Sequence, residues 1–232
     1  ISWGEEKDQK KIYTIYHGKS FVTYFISEGQ PLMSAELCHD NTSGKDNWWA
    51  PVNCGVNWIG SETAYGQLYQ WGRKTAFERD NNNIYAGSSY PTTIEASYAG
   101  EWKDLFIKGN GNDKNSWITT GTSNLDKAWN NNGKTENDPC PDGWRIPTKD
   151  ELNVFVGGTY NYSSLIAGDV SLPDSKTRAQ DTGEFTNGAR YWTSGYNAGK
   201  ASYLSFNNAG DNGTMHDDGD LANGCYIRCI KE

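Results

Sequence analysis

This chain has to build its core out of rings. Only 35% of its 232 residues are hydrophobic, yet it carries 10 Trp, 14 Tyr and 7 Phe. Each ring buries a large apolar area, so a few suffice. A chain of this length buries a sizeable core as one large domain or as a domain with an appendage. The rings also argue against disorder, whose signature is few aromatics and high net charge. With 26 Gly and 23 Asn the surface is rich in turn chemistry, a usage commoner in secreted β-rich proteins than in helical cytosolic enzymes.

Charge narrows the partners. The formal net charge is -8 and the isoelectric point about 4.9, so nucleic acid and anionic membrane surfaces are disfavoured because phosphate binding needs a basic face. No apolar run reaches the roughly 18–20 residues of a membrane span, so no transmembrane segment is expected. The sequence opens at Ile1 without an apolar leader. It reads as trimmed, which leaves room for a lost signal peptide or lipid anchor. Cys38, Cys54, Cys140, Cys225 and Cys229 make an odd set. In an exported chain they allow two disulfides and a free thiol, or fewer; in a cytosolic one, five buried thiols. Cys225 and Cys229 on one strand would stand about 13 Å apart, too far to bridge each other.

Local patterning is mostly β. Two β-prone runs flank His17-Gly18-Lys19 and predict a hairpin over 11–27. Residues 40–47 form a polar connector, and Pro51 marks an edge or irregular strand. Residues 61–73 suggest a helical turn weakened by Gly66, residues 79–116 read as loop, and 123–129 as a short helix. The clearest local signal is Thr148 followed by Glu151: a capping box ahead of Leu152, Phe155 and Val156 predicts a helix over 149–156 stopped by Gly157-Gly158. Strands are predicted at 191–194, at 201–207 with Tyr203 and Ser205 alternating with Leu204 and Phe206, and at 226–230, with a polar loop over 208–224.

Four segments then occur in order: Trp49-Ala50-Pro51-Val52-Asn53-Cys54-Gly55; Tyr69-Gln70-Trp71-Gly72-Arg73; Asp138-Pro139-Cys140-Pro141-Asp142-Gly143-Trp144-Arg145-Ile146-Pro147-Thr148; and Tyr191-Trp192-Thr193-Ser194 with the terminal Ile227-Arg228-Cys229-Ile230. Together they resemble the Fibrobacter succinogenes major paralogous domain, a family of exported and surface proteins of Bacteroidetes and Fibrobacteres. The Cys-Pro-x-Gly-Trp-Arg-x-Pro-Thr block is its most specific part. The resemblance spans residues 47–232 and implies an α+β, C-type lectin-like fold with a mixed sheet, two short helices and long loops, in the branch shared with formylglycine-generating enzymes. Residues 1–46 match nothing in that family and are expected to form an N-terminal β-hairpin or arm packed on the main domain. The family pattern further implies a Cys140–Cys229 disulfide, whose loop of roughly 90 residues is worth about 4–5 kcal/mol in chain entropy. Cys54 or Cys38 is left as a partner for Cys225. Trp144 is expected to pack under the helix, and Arg145 to make a buried ion pair or cap a loop.

Some relatives are diversified by retroelements at ligand-binding residues on an exposed C-terminal sheet face and its loops. That likeness places recognition at Tyr196, Asn197, Lys200, Ser202, Tyr203 and Ser205 as one exposed patch, extended by Asn207, Asn208, Asp211, Asn212, Met215, His216, Asp217, Asp218 and Asp220. Tyr supplies rigid amphipathic area, while Asn and Ser adapt by hydrogen bonding. No metal or cofactor is expected: Asp217, Asp218 and Asp220 match neither an EF-hand loop nor the calcium motifs of lectins.

Enzyme signatures are missing. There is no GxSxG, HExxH or GxxxxGK, and His17, His39 and His216 sit in no spacing that builds a nucleophile–base pair. The expected function is therefore not enzymatic: a secreted or surface-displayed module that binds a glycan or a protein. Two alternatives stand beside it. One is a structural or adhesin-tip subunit docked through residues 1–46. The other is a cysteine-dependent formylglycine-type oxidase using Cys225 or Cys229, although the C-x3-C spacing here departs from the C-x4-C of those enzymes.

Overall fold

The computed structural model describes residues 2–3, 10–17, 20–27, 30–33, 39–40, 47–50, 53–55, 66–77, 83–85, 87–109, 115–119, 125, 128–156, 172, 176–206 and 213–232, with side chains from residue 49 onward. The architecture is α+β, made of several small sheets. Strands β1 (Ser2–Trp3), β2 (Lys10–His17), β3 (Ser20–Ser27) and β4 (Gln30–Met33) form an antiparallel meander. The segment read as a hairpin lies in β2 and β3, with Lys10 opposite Ser27 and His17 opposite Ser20. β5 (His39–Asp40) pairs with β6 (Asn47–Trp48) across the expected boundary between residues 46 and 47.

β7 (Tyr69–Gln70) occupies the segment read as a helical turn. Leu68, Tyr69, Gln70, Trp71 and Arg73 are all buried; a surface helix hides only one face, so burial on every side selects an extended strand and turn. Gly72 sits at φ 88°, and a Cβ there would meet Ala128 at 3.0 Å, so both backbone and space require glycine. Within the stretch read as loop, β8 (Ile84–Tyr85) pairs parallel with β9 (Phe106–Ile107), and 3-10 turns cover Glu95–Tyr98 and Gly100–Trp102. In the segment read as a short helix at 123–129, only residues 125, 128 and 129 are described, and the Ala128 amide donates to the Leu125 carbonyl at 3.2 Å.

β10 (Trp144–Arg145) precedes α1 (Lys149–Leu152), which continues as a 3-10 turn over Asn153–Phe155. The capping box is present in full: the Glu151 amide donates to Thr148 Oγ1, and the Thr148 amide donates to the Glu151 carboxylate at 2.8 Å. This is the one α-helix among the described residues, where the family likeness implied two. β11 (Thr177–Arg178), β12 (Phe185–Thr186), β13 (Ala189–Asn197), β14 (Lys200–Phe206), β15 (Thr214–Asp220), β16 (Gly224–Cys225) and β17 (Ile230–Lys231) complete the chain. They belong to separate sheets: β12-β11-β16-β7, β13-β14-β15 and β10-β17.

The two ends of the region from residue 49 onward zip together. Trp49 bridges Ile230, the Ala50 amide donates to Cys229 O at 2.8 Å, and the Cys54 amide to Ile227 O at 2.9 Å. On its other side Ile230 pairs with Arg145 of β10. The closing strand is therefore flanked by the opening segment and by the Gly-Trp-Arg block.

The core is aromatic, as composition required. One cluster holds Trp71, Trp117, Trp129, Trp144, Trp192 and Tyr203; a second holds Trp49, Phe77, Phe106, Phe155, Tyr191 and Phe206. Indoles also stitch distant segments, since a buried N–H needs an acceptor. Trp71 Nε1 donates to Thr193 O at 3.0 Å, Trp117 Nε1 to Trp71 O at 2.8 Å, Trp129 Nε1 to Asn137 O at 2.8 Å and Trp192 Nε1 to Tyr69 O at 2.9 Å. Gln70 is saturated: its amide donates to Ile107 O and Ala222 O, and its Oε1 accepts from the Ile107 amide and from Arg73. Arg73 donates its other terminal N–H groups to the carbonyls of Leu105, Ser97 and Trp102 while its buried Nε has no partner, and burial draws its guanidinium down to about 10, still charged at neutral pH.

The most specific sequence block proves to be a clamp. Asp138 accepts from the amides of Cys140 (2.8 Å) and Ile146 (2.9 Å), tying the two ends of the loop. Lys134 donates to the carbonyls of Cys140 and Trp144. Gly143 takes φ 77°, the left-handed position of the turn closed by Trp144 N to Pro141 O. Cys140 is bonded to Cys229 across a sequence separation of 89. Arg145 makes the expected ion pair, forking onto Glu151 at 2.6 and 2.8 Å. Trp144 does not pack under the helix: it belongs to the first cluster, while Leu152 and Phe155 lie in the second, where Trp49 meets Phe155 edge-on at 5.0 Å.

Glu151 serves both cap and ion pair. Burial alone would raise its carboxyl, but hydrogen bonds from Arg145 and Thr148 outweigh it, and the net shift is downward. A depressed carboxylate contributes stability that is present above its unfolded value and lost as pH falls through its folded value. Glu151→Ala is expected to cost about 2 kcal/mol at neutral pH. In urea titrations the variant and parent should converge as pH drops below the ordinary glutamate value of 4.5.

Candidate functional site

The described residues among those expected to bind ligand fall on β13, β14 and β15. Side chains alternate across a strand, and neighbours directly opposite share a face. Tyr203 lies opposite His216 and Leu204 opposite Met215. That register divides the expected patch between two faces.

On one face Arg190, Tyr203 and His216 form a stack. The Arg190 guanidinium sits 5.4 Å from the Tyr203 ring centre, and the His216 ring lies parallel to Tyr203 at 4.6 Å. Ser205 Oγ shares a 2.9 Å hydrogen bond with His216 Nε2, and His216 Nδ1 stands 3.9 Å from an Asp218 carboxylate oxygen. On the other face Ser202 donates to Asp217 at 2.7 Å, Lys149 of α1 pairs with Asp217, and Met215 packs against the second core cluster with Leu204. The Lys149 hydrogen bond, helped by Ser202, holds the Asp217 carboxyl below its usual range. Lys200 pairs with Asp220 across the β14–β15 ladder.

Exposure corrects part of the expectation. Ser202, Tyr203 and Ser205 are buried, at 8%, 9% and 4%; they are not an exposed patch. The reason is that both faces of β14 are covered. Leu204 and Phe206 point into the cluster that holds Leu152 and Phe155, while His216, Arg190 and Trp192 enclose Tyr203. Burial pushes the Tyr203 hydroxyl upward. Asn197, Asp217 and Asp218 are exposed, and Tyr196, Lys200, Met215, His216 and Asp220 are half-buried. Tyr196 stacks on Trp71 at 4.9 Å. Asn207, Asn208, Asp211 and Asn212 lie outside the described residues.

Sequence spacing offered no nucleophile–base pair, yet folding brings Ser205 and His216 into hydrogen-bond contact across the ladder. The buried serine and a carboxylate beyond hydrogen-bond length make this an ordering contact that fixes the imidazole. Arg190 and Lys149 were missed. Arg190 carried one signal, its period-two spacing from Trp192; Lys149 reaches the sheet only because α1 packs over it.

The sulfur chemistry also departs from expectation. Cys225 is a free thiol, paired with neither Cys54 nor any other described cysteine; Cys38 lies outside the described residues. Burial pushes the Cys225 thiol up to about 12, and Cys229 is held in its disulfide, so the C-x3-C run presents no reactive thiolate pair. Among the described residues the one group able to converge on a metal is Cys54, Cys140 and Cys229, two of which are bonded to each other. No described helix is long and apolar enough to cross a membrane. Comparison of the chain with protein-family models, curated proteins and solved structures finds no match.

Proposed function

We propose that this chain is a secreted or surface-displayed binding module of C-type lectin-like architecture, akin to the Fibrobacter succinogenes major paralogous domain, which recognises a protein or glycan without covalent chemistry. The observation that carries the reading is a set of polar side chains already held in place at the rim of the β13–β15 sheet. His216 is fixed by Tyr203 and Ser205, Asp217 by Lys149 and Ser202, and Asp220 by Lys200. Side chains ordered before binding lose little entropy when a ligand arrives. The covered Tyr203 ring leaves the flat stacking platform of a sugar site to Tyr196, so a polar protein surface is the favoured partner and a glycan the second.

The test is capture of the full chain on a glycan array and on a panel of bacterial and host surface proteins. A protein ligand is expected, with affinity falling at least about tenfold in His216→Ala and Asp218→Asn. Unchanged affinity in both variants, or no capture on either panel, would sink the reading.

A further inference from the structure

We propose that Cys54, Cys140 and Cys229 form a three-sulfur exchange cluster, in which Cys54 displaces Cys140 from Cys229 and sets a second disulfide register, Cys54–Cys229. The three Sγ atoms all lie within 4.8 Å of one another, and all three residues are buried. A free thiol so close to a disulfide is placed for exchange, which proceeds by attack of a thiolate on one sulfur of the bond.

Two features of the fold choose Cys229 as the sulfur attacked. The segment carrying Cys54 is already laddered to the segment carrying Cys229, through Ala50 N to Cys229 O and Cys54 N to Ile227 O. A bond between them would join two segments that are already held side by side. Cys140, in contrast, sits in a loop held on its own terms, by Asp138 on the amides of Cys140 and Ile146 and by Lys134 on the carbonyls of Cys140 and Trp144. The leaving sulfur therefore stays in an ordered loop beside a cation.

The step balances without an oxidant or reductant. Cys54 loses its proton to solvent, its sulfur bonds to Cys229 Sγ, and the Cys140–Cys229 bond breaks with its electron pair on Cys140 Sγ. Cys140 then takes up a proton. The consequence is structural: the Asp138–Trp144 clamp is uncoupled from the closing strand, while the two ends of the domain stay fastened.

Resting conditions suppress the exchange. The Cys54 thiol donates to Pro139 O at 3.3 Å and accepts from Tyr69 Oη at 3.3 Å. Burial pushes it up to about 11; the Tyr69 hydrogen bond opposes this, Asp138 adds to it and Lys134 eases it. About one molecule in ten thousand then carries the thiolate at neutral pH, and the rate should rise about tenfold per pH unit up to that value.

The experiment is disulfide mapping of the unmodified full chain, held at about pH 7 and about pH 9 without added thiol or oxidant, quenched in acid, alkylated in denaturant and digested with pepsin. The expected product is a Cys54–Cys229 peptide together with alkylated Cys140, forming roughly a hundredfold faster at the higher pH. A second arm oxidises Cys140→Ser with glutathione disulfide and expects the same Cys54–Cys229 bond. Recovery of Cys140–Cys229 alone at both pH values overturns the proposal, as does a bond from Cys54 to Cys140, Cys38 or Cys225.

Discussion

Replacing Cys140 and Cys229 together with serine is expected to lower the thermal midpoint by about 10–20 °C. The bond closes a loop across 89 residues, which by chain entropy is worth about 4–5 kcal/mol, and a domain of this size loses about 2–4 °C per kcal/mol. The segments joined are also held by backbone pairing, with β10 against β17 and Trp49 against Ile230. The effect should therefore appear in the unfolding free energy while far-ultraviolet circular dichroism at low temperature stays near that of the parent. Calorimetry of the double variant decides it. A midpoint within about 5 °C of the parent would mean that the bond restricts the unfolded chain far less than the entropic account requires.

Trp71→Ala is expected to cost about 3–5 kcal/mol, the range for removing a fully buried large ring. Trp71 packs against Trp129 at 5.4 Å and supports Tyr196 at 4.9 Å. Its indole N–H satisfies the Thr193 carbonyl, so truncation opens a cavity and orphans an acceptor at once. Trp71→Phe keeps a ring and loses the donor, and should cost about 1–3 kcal/mol. Urea unfolding of the two variants separates the terms; equal losses would show that packing contributes nothing beyond the hydrogen bond. The alanine variant should also loosen Tyr196, linking core and rim: ligand affinity should fall with stability, whereas Asp218→Asn, at an exposed carboxylate, should change affinity alone.

The contrast between the Gly-Trp-Arg block and the recognition rim shows how far a linear reading reaches. Thr148 and Glu151 lie three residues apart and satisfy each other, so the cap was legible from the string. For Arg145 an ion pair or a loop cap was open, and only the folded chain shows Glu151 as its partner. The segment at 68–73 was misread because its burial comes from partners far along the chain, such as Ile107, Thr193 and Ala222, which no local pattern contains. The rim was misread for a related reason. Alternation in 201–207 assigns two faces correctly, but which face is free depends on what packs over it, and here both are covered.

By itself the sequence determined a core of rings, a β-rich C-terminal third and one capped helix, and the family resemblance proposed from its motifs carried the expectation of the Cys140–Cys229 pair. Those features rest on composition, on short-range hydrogen bonding and on a pattern read in order. Only the tertiary structure decided that Tyr203 lies beneath His216, that Lys149 reaches Asp217, and that Cys54 sits beside the disulfide. Each is a contact between segments whose separation along the chain says nothing of their distance in space, because burial and strand register, not spacing, bring them together.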